Sequence, residues 1–94
     1  MKLNSEAYRM AQTAVAELMS SVLMVLLENY EESHEGLTNA ELGRALGIYG
    51  GHAQGKHEGH VSRTLLGTMA EQGVIYQRPD TKRWHPNLDL VKAK

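Results

Sequence analysis

The stretch from Leu65 to Trp84 constrains this chain more than any other. Leu65, Leu66, Met69 and Ala70 recur at helical spacing, Gly73 stops the helix, and Val74-Ile75-Tyr76-Gln77 follows at once with strand-forming residues. Arg78-Pro79-Asp80-Thr81 reads as a type I turn with proline in its second position, and Lys82 to His85 reads as the returning strand. The expected fold class is therefore mainly α with a small β-hairpin, in which Trp84 covers the core from the second strand.

Upstream, residues 5 to about 32 read as one long helix capped by Asn4 or Ser5. Tyr8, Ala11, Val15, Leu18, Met19, Val22, Leu23, Val25, Leu26 and Tyr30 form one apolar stripe, and Met24 and Leu27 interrupt the polar face opposite. At roughly 1.5 Å per residue such a helix spans about 42 Å. A compact chain of this size is only about 30 Å across. One end should overhang, and a second copy is the simplest cover, so Tyr8, Ala11, Val15, Leu18 and Val22 are the expected homodimer interface. The alternative is a break near Ser20-Ser21 that folds both pieces onto one core.

Residues 38 to 46 read as a short helix. Thr38 and Glu41 form a capping box, Leu37 and Leu42 stand at staple positions, and Gly47 ends it. A glycine- and histidine-rich loop covers 47 to 59, and a third helix covers 60 to 72. Val61, Leu65, Leu66, Met69 and Ala70 are expected inside. His60, Arg63, Thr64, Gly67, Thr68 and Glu71 are expected outside. The expected organisation is a single domain: a long helix over 1–36 as dimerisation element, a core over 37–86, and a tail over 87–94.

Charge is uneven. Residues 1–36 set Lys2 and Arg9 against six glutamates, net −4. Residues 37–94 set eight cations against Glu41, Glu58, Glu71, Asp80 and Asp89, net +3, and hold four of the five histidines. Cysteine is absent, so disulfides, thiolate zinc sites and cysteine nucleophiles are excluded. That fits a reducing compartment, and the start lacks the apolar run of a signal peptide, so a cytoplasmic location is expected. The most apolar run, Leu18 to Leu27, is too short to span a bilayer, so no membrane association is expected.

The segments Leu37 to Gly47 and Val61 to Trp84, about half the chain, resemble the winged-helix DNA-binding superfamily. They are nearest in style to the MarR-like and PadR-like bacterial regulators. The resemblance implies a winged helix-turn-helix with a long N-terminal helix, acting as a small dimeric transcriptional regulator on double-stranded DNA. It implies that the third helix enters the major groove with His60, Arg63, Thr64 and Thr68, and that the wing (76–84) meets the backbone with Arg78, Lys82 and Arg83. Lys56, in the loop, is a further expected contact. Arg63 can pair bidentately with guanine or phosphate, and Gly67 allows a groove wall to approach. One departure stands out. A helix-turn-helix turn has about 3–4 residues, and here 13 intervene.

Three other readings compete. A winged-helix domain can serve as a protein–protein interaction module without touching DNA. His52, His57 and His60 with Glu58 could bind zinc or nickel, but their spacing matches no standard motif and glycine-rich loops are costly to order, so no metal and no cofactor are expected. Nothing resembles a catalytic motif, and no enzymatic activity is expected.

Overall fold

A computed structural model describes residues 5–49 and 59–91. The elements run α1 (Ser5–Glu32), α2 (Asn39–Ala45), α3 (His60–Glu71), β1 (Ile75–Gln77), β2 (Trp84–Pro86) and α4 (Leu88–Val91). The chain is mainly helical with one two-stranded antiparallel sheet, in which Ile75 pairs with Pro86, Tyr76 with His85 and Gln77 with Trp84.

Helix α1 runs unbroken past Ser20-Ser21. The Ser21 hydroxyl donates to the Leu18 carbonyl at 2.7 Å, which keeps this polar side chain on the helix's own backbone. Only the second half of α1 belongs to the core. Val22 and Leu26 are fully buried, with Leu18, Met19, Leu23 and Val25 packed against them. Every residue from Ser5 to Glu17 is exposed. Val22 therefore cannot meet a partner as expected from sequence, because its side chain is already enclosed by its own core. Tyr8, Ala11 and Val15 are open, and Leu18 is half-buried at the edge.

By length and composition alone α1 could cross a bilayer. Its second half is held in the core, however. The thirteen exposed residues reach only about 20 Å, short of the roughly 30 Å of hydrocarbon.

The core gathers Leu42 from α2, Leu65, Leu66 and Met69 from α3 and Ile75 from β1 around Val22 and Leu26, with Trp84 against its edge. Val61, expected inside, is 51% exposed. It lies one turn before Leu65, where α1 and α3 leave an open groove. Leu37, between α1 and α2, bridges Trp84: Leu37 N–H donates to Trp84 O at 3.1 Å and Trp84 N–H donates to Leu37 O at 2.7 Å.

Gly36 is what lets this extended segment lie against β2. Its φ is +82°, and a Cβ there would meet the His85 ring at 2.6 Å and the Trp84 carbonyl at 2.8 Å. The Asn29 side chain accepts the Gly36 N–H at 2.8 Å, fixing the exit from α1.

The hairpin differs from expectation in the length of its connection. The strands stop at Gln77 and resume at Trp84, so the connection is longer than a four-residue turn. Arg78 N–H donates to Arg83 O, and Lys82 N–H donates to Arg78 O, closing an α-turn with Lys82 at φ +63°. Beyond β2 the chain forms a short helix, α4. Asn87 Nδ2 donates to Gly73 O at 2.7 Å and Asn87 N–H donates to Val74 O at 2.9 Å, anchoring α4 beside the start of β1.

Candidate nucleic-acid interface

The placement of α3 is set by a polar knot beneath it. Ser62 is fully buried, and its hydroxyl lies 2.8 Å from Asn39 Oδ1 and 3.1 Å from Gly59 O. Asn39 Nδ2 donates to the same Gly59 carbonyl at 3.2 Å. A buried polar group with its bonds made is stiff and specific. This one joins the first turn of α2 to the first turn of α3. Gly43 completes the contact: a Cβ there would stand 2.8 Å from Tyr49 Cβ and 2.9 Å from Ser62 Oγ.

The long connection between α2 and α3 resolves into two parts. Gly59 N–H donates to Tyr49 O at 2.7 Å, so the chain is back at its starting point after residues 50–58. Measured through that bond, α2 and α3 are joined by Leu46, the α2 cap, and then Gly47, Ile48, Tyr49 and Gly59. Residues 50–58 separate Tyr49 from Gly59 in sequence. Ile48 and Tyr49 N–H both donate to Gly43 O, which folds the turn onto α2. The left-handed backbone of Gly59, φ +78°, then starts α3.

The outer face of α3 carries Arg63, Thr64, Gly67, Thr68 and Glu71, all exposed. The Arg63 backbone N–H donates to Gly59 O, but its side chain makes no hydrogen bond or ion pair among the described residues, so its guanidinium is available. Thr64 and Thr68 stand apart from it. The Thr68 hydroxyl donates to the Thr64 carbonyl at 3.2 Å, and both residues line an apolar groove with Val15, Leu18, Met19 and Val61. They lie on the flank of α3 that turns toward α1. His60 opens α3. Lys56, His52 and His57 lie outside the described residues.

On the hairpin the three expected cations have three different fates. Arg78 forms a two-point pair with Asp80, Nε to Oδ1 at 3.1 Å and Nη2 to Oδ2 at 3.0 Å, and this holds the Asp80 carboxyl below its usual pKa. Arg83 turns inward instead of outward. Its Nη1 donates to Gly36 O at 2.9 Å and to Glu41 Oε1 at 3.0 Å, which ties the hairpin to α2. Lys82 is exposed and forms no ion pair among the described residues. Among the described residues the hairpin thus offers one free cation and one neutralised pair. Arg83 serves the fold, because the Gly36 carbonyl and the Glu41 carboxylate both lie within its reach.

Sequence reasoning missed Arg44. It sits exposed in the last turn of α2 with its guanidinium 4.6 Å from the centre of the Tyr49 ring, at the turn before α3. The signal was an arginine five residues before a tyrosine across a helix-ending glycine.

His85 is buried, and its Nε2 has no hydrogen-bond partner among the described residues. Burial, with Arg78 and Arg83 nearby, pushes its pKa below the ordinary histidine value. No group of three metal-ligating side chains gathers among the described residues. Comparison of the chain with protein-family models, curated proteins and solved structures finds no match.

Proposed function

We propose that this chain is a winged-helix module that binds duplex DNA, with α3 in the major groove and the 78–82 loop against the phosphate backbone. The observation that carries the reading is the bond between Tyr49 and Gly59. It reduces the connection between α2 and α3 to a turn of helix-turn-helix length, with an insertion at its neck. The Leu37–Trp84 bridge adds the short extended segment between first and second helices that completes a helix, strand, helix, helix, strand, strand order.

In this reading Arg63 is the groove contact. It is exposed, unpaired among the described residues and carried on a helix clamped from below by Ser62 and Asn39. Lys82 and Arg44 are backbone contacts. Arg78 joins them only by exchanging Asp80 for a phosphate.

A second reading, a protein-interaction module without DNA binding, draws on the internal pairing of Arg78 and Arg83, which leaves the hairpin weakly cationic. One titration separates the two. Fluorescence polarisation of a mixed-sequence duplex at low salt is expected to rise with protein and to weaken linearly in log salt, since the phosphate term is independent of sequence. Absence of binding at tens of micromolar protein rejects DNA binding and leaves the second reading.

A further inference from the structure

The uncovered half of α1 continues a stripe that the core uses further along. Tyr8, Ala11, Val15, Leu18 and Val22 alternate in steps of three and four, the spacing of a coiled-coil seam. At Val22 the seam is enclosed by the domain. At Tyr8, 64% exposed, and Val15, 46% exposed, it faces solvent. A thirteen-residue helix without a packed face is marginal in water. Where the seam leaves the domain, Val15, Leu18 and Met19 meet Val61, Leu65 and Thr68 across a groove of about 480 Å³.

We propose that a second copy of this chain covers this surface, its Ser5–Glu17 segment lying antiparallel along the first copy's and its Tyr8 reaching that groove. A two-fold axis level with Thr13 sets Tyr8 opposite the other copy's Leu18 and Ala11 opposite its Val15. The small residue Ala11 therefore lies beside the axis, facing Val15, where helices approach closely. Tyr8 arrives at Leu18, which is where Val61 and Thr68 open the groove.

Charge selects this occupant. An isologous interface pairs the same patch on both copies, so uncharged flanks on one copy meet uncharged flanks on the other. The positions flanking it are Ala7, Gln12, Ala14 and Met19, all neutral, while Glu6, Arg9 and Glu17 lie away from it. A charged partner helix would call for complementary charges at those flanks. An anionic bilayer would call for lysine and arginine beside the apolar face, and this segment carries one arginine against two glutamates. The docking reassigns Thr68 from the DNA-facing side of α3 to a protein interface, beside Val61.

The inference is independent of DNA binding and is tested without DNA. Sedimentation of the full chain is expected to show a concentration-dependent dimer. Val15→Asp, Tyr8→Asp and Val61→Asp should each raise the dimer Kd at least about tenfold, about 1.4 kcal/mol. All three side chains are exposed in the single copy, so a cooperative melt is retained. Met10→Asp, away from the seam, and Arg63→Ala should leave the dimer unchanged. A wild-type monomer at hundreds of micromolar overturns the proposal. So does a dimer indifferent to Val15→Asp. Retention of the dimer by Val61→Asp alone overturns the groove, and co-sedimentation of the wild type with phosphatidylglycerol vesicles overturns the choice of occupant.

Discussion

The guanidinium of Arg83 donates from one nitrogen to both the Gly36 carbonyl and the Glu41 carboxylate, at 2.9 and 3.0 Å. One side chain thereby joins the exit of α1, the capping box of α2 and the base of the hairpin. Arg83→Ala should cost about 1 kcal/mol of stability, read from the urea midpoint of Trp84 fluorescence, because the pair is partly exposed but the carbonyl loses its donor. The same variant should leave the salt slope of duplex binding unchanged. Lys82→Gln should do the reverse, keeping stability and flattening that slope by about 0.9.

Glu41 is held below its ordinary carboxyl pKa of 4.5, chiefly by the Thr38 backbone N–H it accepts, with burial opposing and Arg83 adding to the lowering. A lowered folded value means that the stabilisation is complete above 4.5 and is lost as pH falls through the folded pKa. Thr38→Ala removes the reciprocal bond from Glu41 N–H to the threonine hydroxyl, 3.1 Å long, and should cost about 1 kcal/mol at neutral pH. Thermal melts at pH 7 and at pH 3.5 check both effects.

His85 acts in the same direction at higher pH. Its folded pKa lies below the ordinary 6.5 because burial and the two nearby arginines disfavour the charged ring. The unfolded chain therefore takes up this proton first, and stability falls as pH drops below 6.5 toward the folded value. The urea midpoint should decline between pH 7.5 and 5.5, and His85→Leu should flatten that decline relative to wild type. An equal decline in the variant assigns the effect to other groups.

Two glycines should behave oppositely. Gly43→Ala drives a methyl group to within 3 Å of Tyr49 and Ser62 and should cost about 1–3 kcal/mol. Gly67→Ala, with nothing within 4 Å on the outer face of α3, should stabilise the helix by about 0.5–1 kcal/mol. If α3 lies in the major groove, that same stabilising methyl group should weaken duplex binding. Paired melting and polarisation measurements separate the two effects.

The fold was legible in sequence wherever the signal was local. The Thr38–Glu41 capping box, the unbroken first helix and the helix running into a strand all depend on neighbours within one or two turns. What escaped was set by distant contacts. The closure of the 47–59 connection rests on a backbone bond from Gly59 to Tyr49, which leaves no mark on residue type. The inward turn of Arg83 depends on Gly36, 47 positions away. The burial of Val22 and the exposure of Val61 depend on where α1 leaves the domain, and an apolar stripe continues unchanged through that point. Of the expected contacts, Arg63 and Lys82 keep unpaired side chains among the described residues, Arg78 and Arg83 are paired internally, and Arg44 stands over Tyr49 as a further cation.

The proposed contact with duplex DNA is the outer face of α3. Its most direct test is an amide NMR titration of the labelled chain with a mixed-sequence duplex at low salt. Resonances from α3 and the Arg78–Lys82 loop should move progressively, while those of Ser5–Glu17 stay fixed. Unmoved α3 resonances at tens of micromolar duplex, or shifts confined to α1, would contradict it.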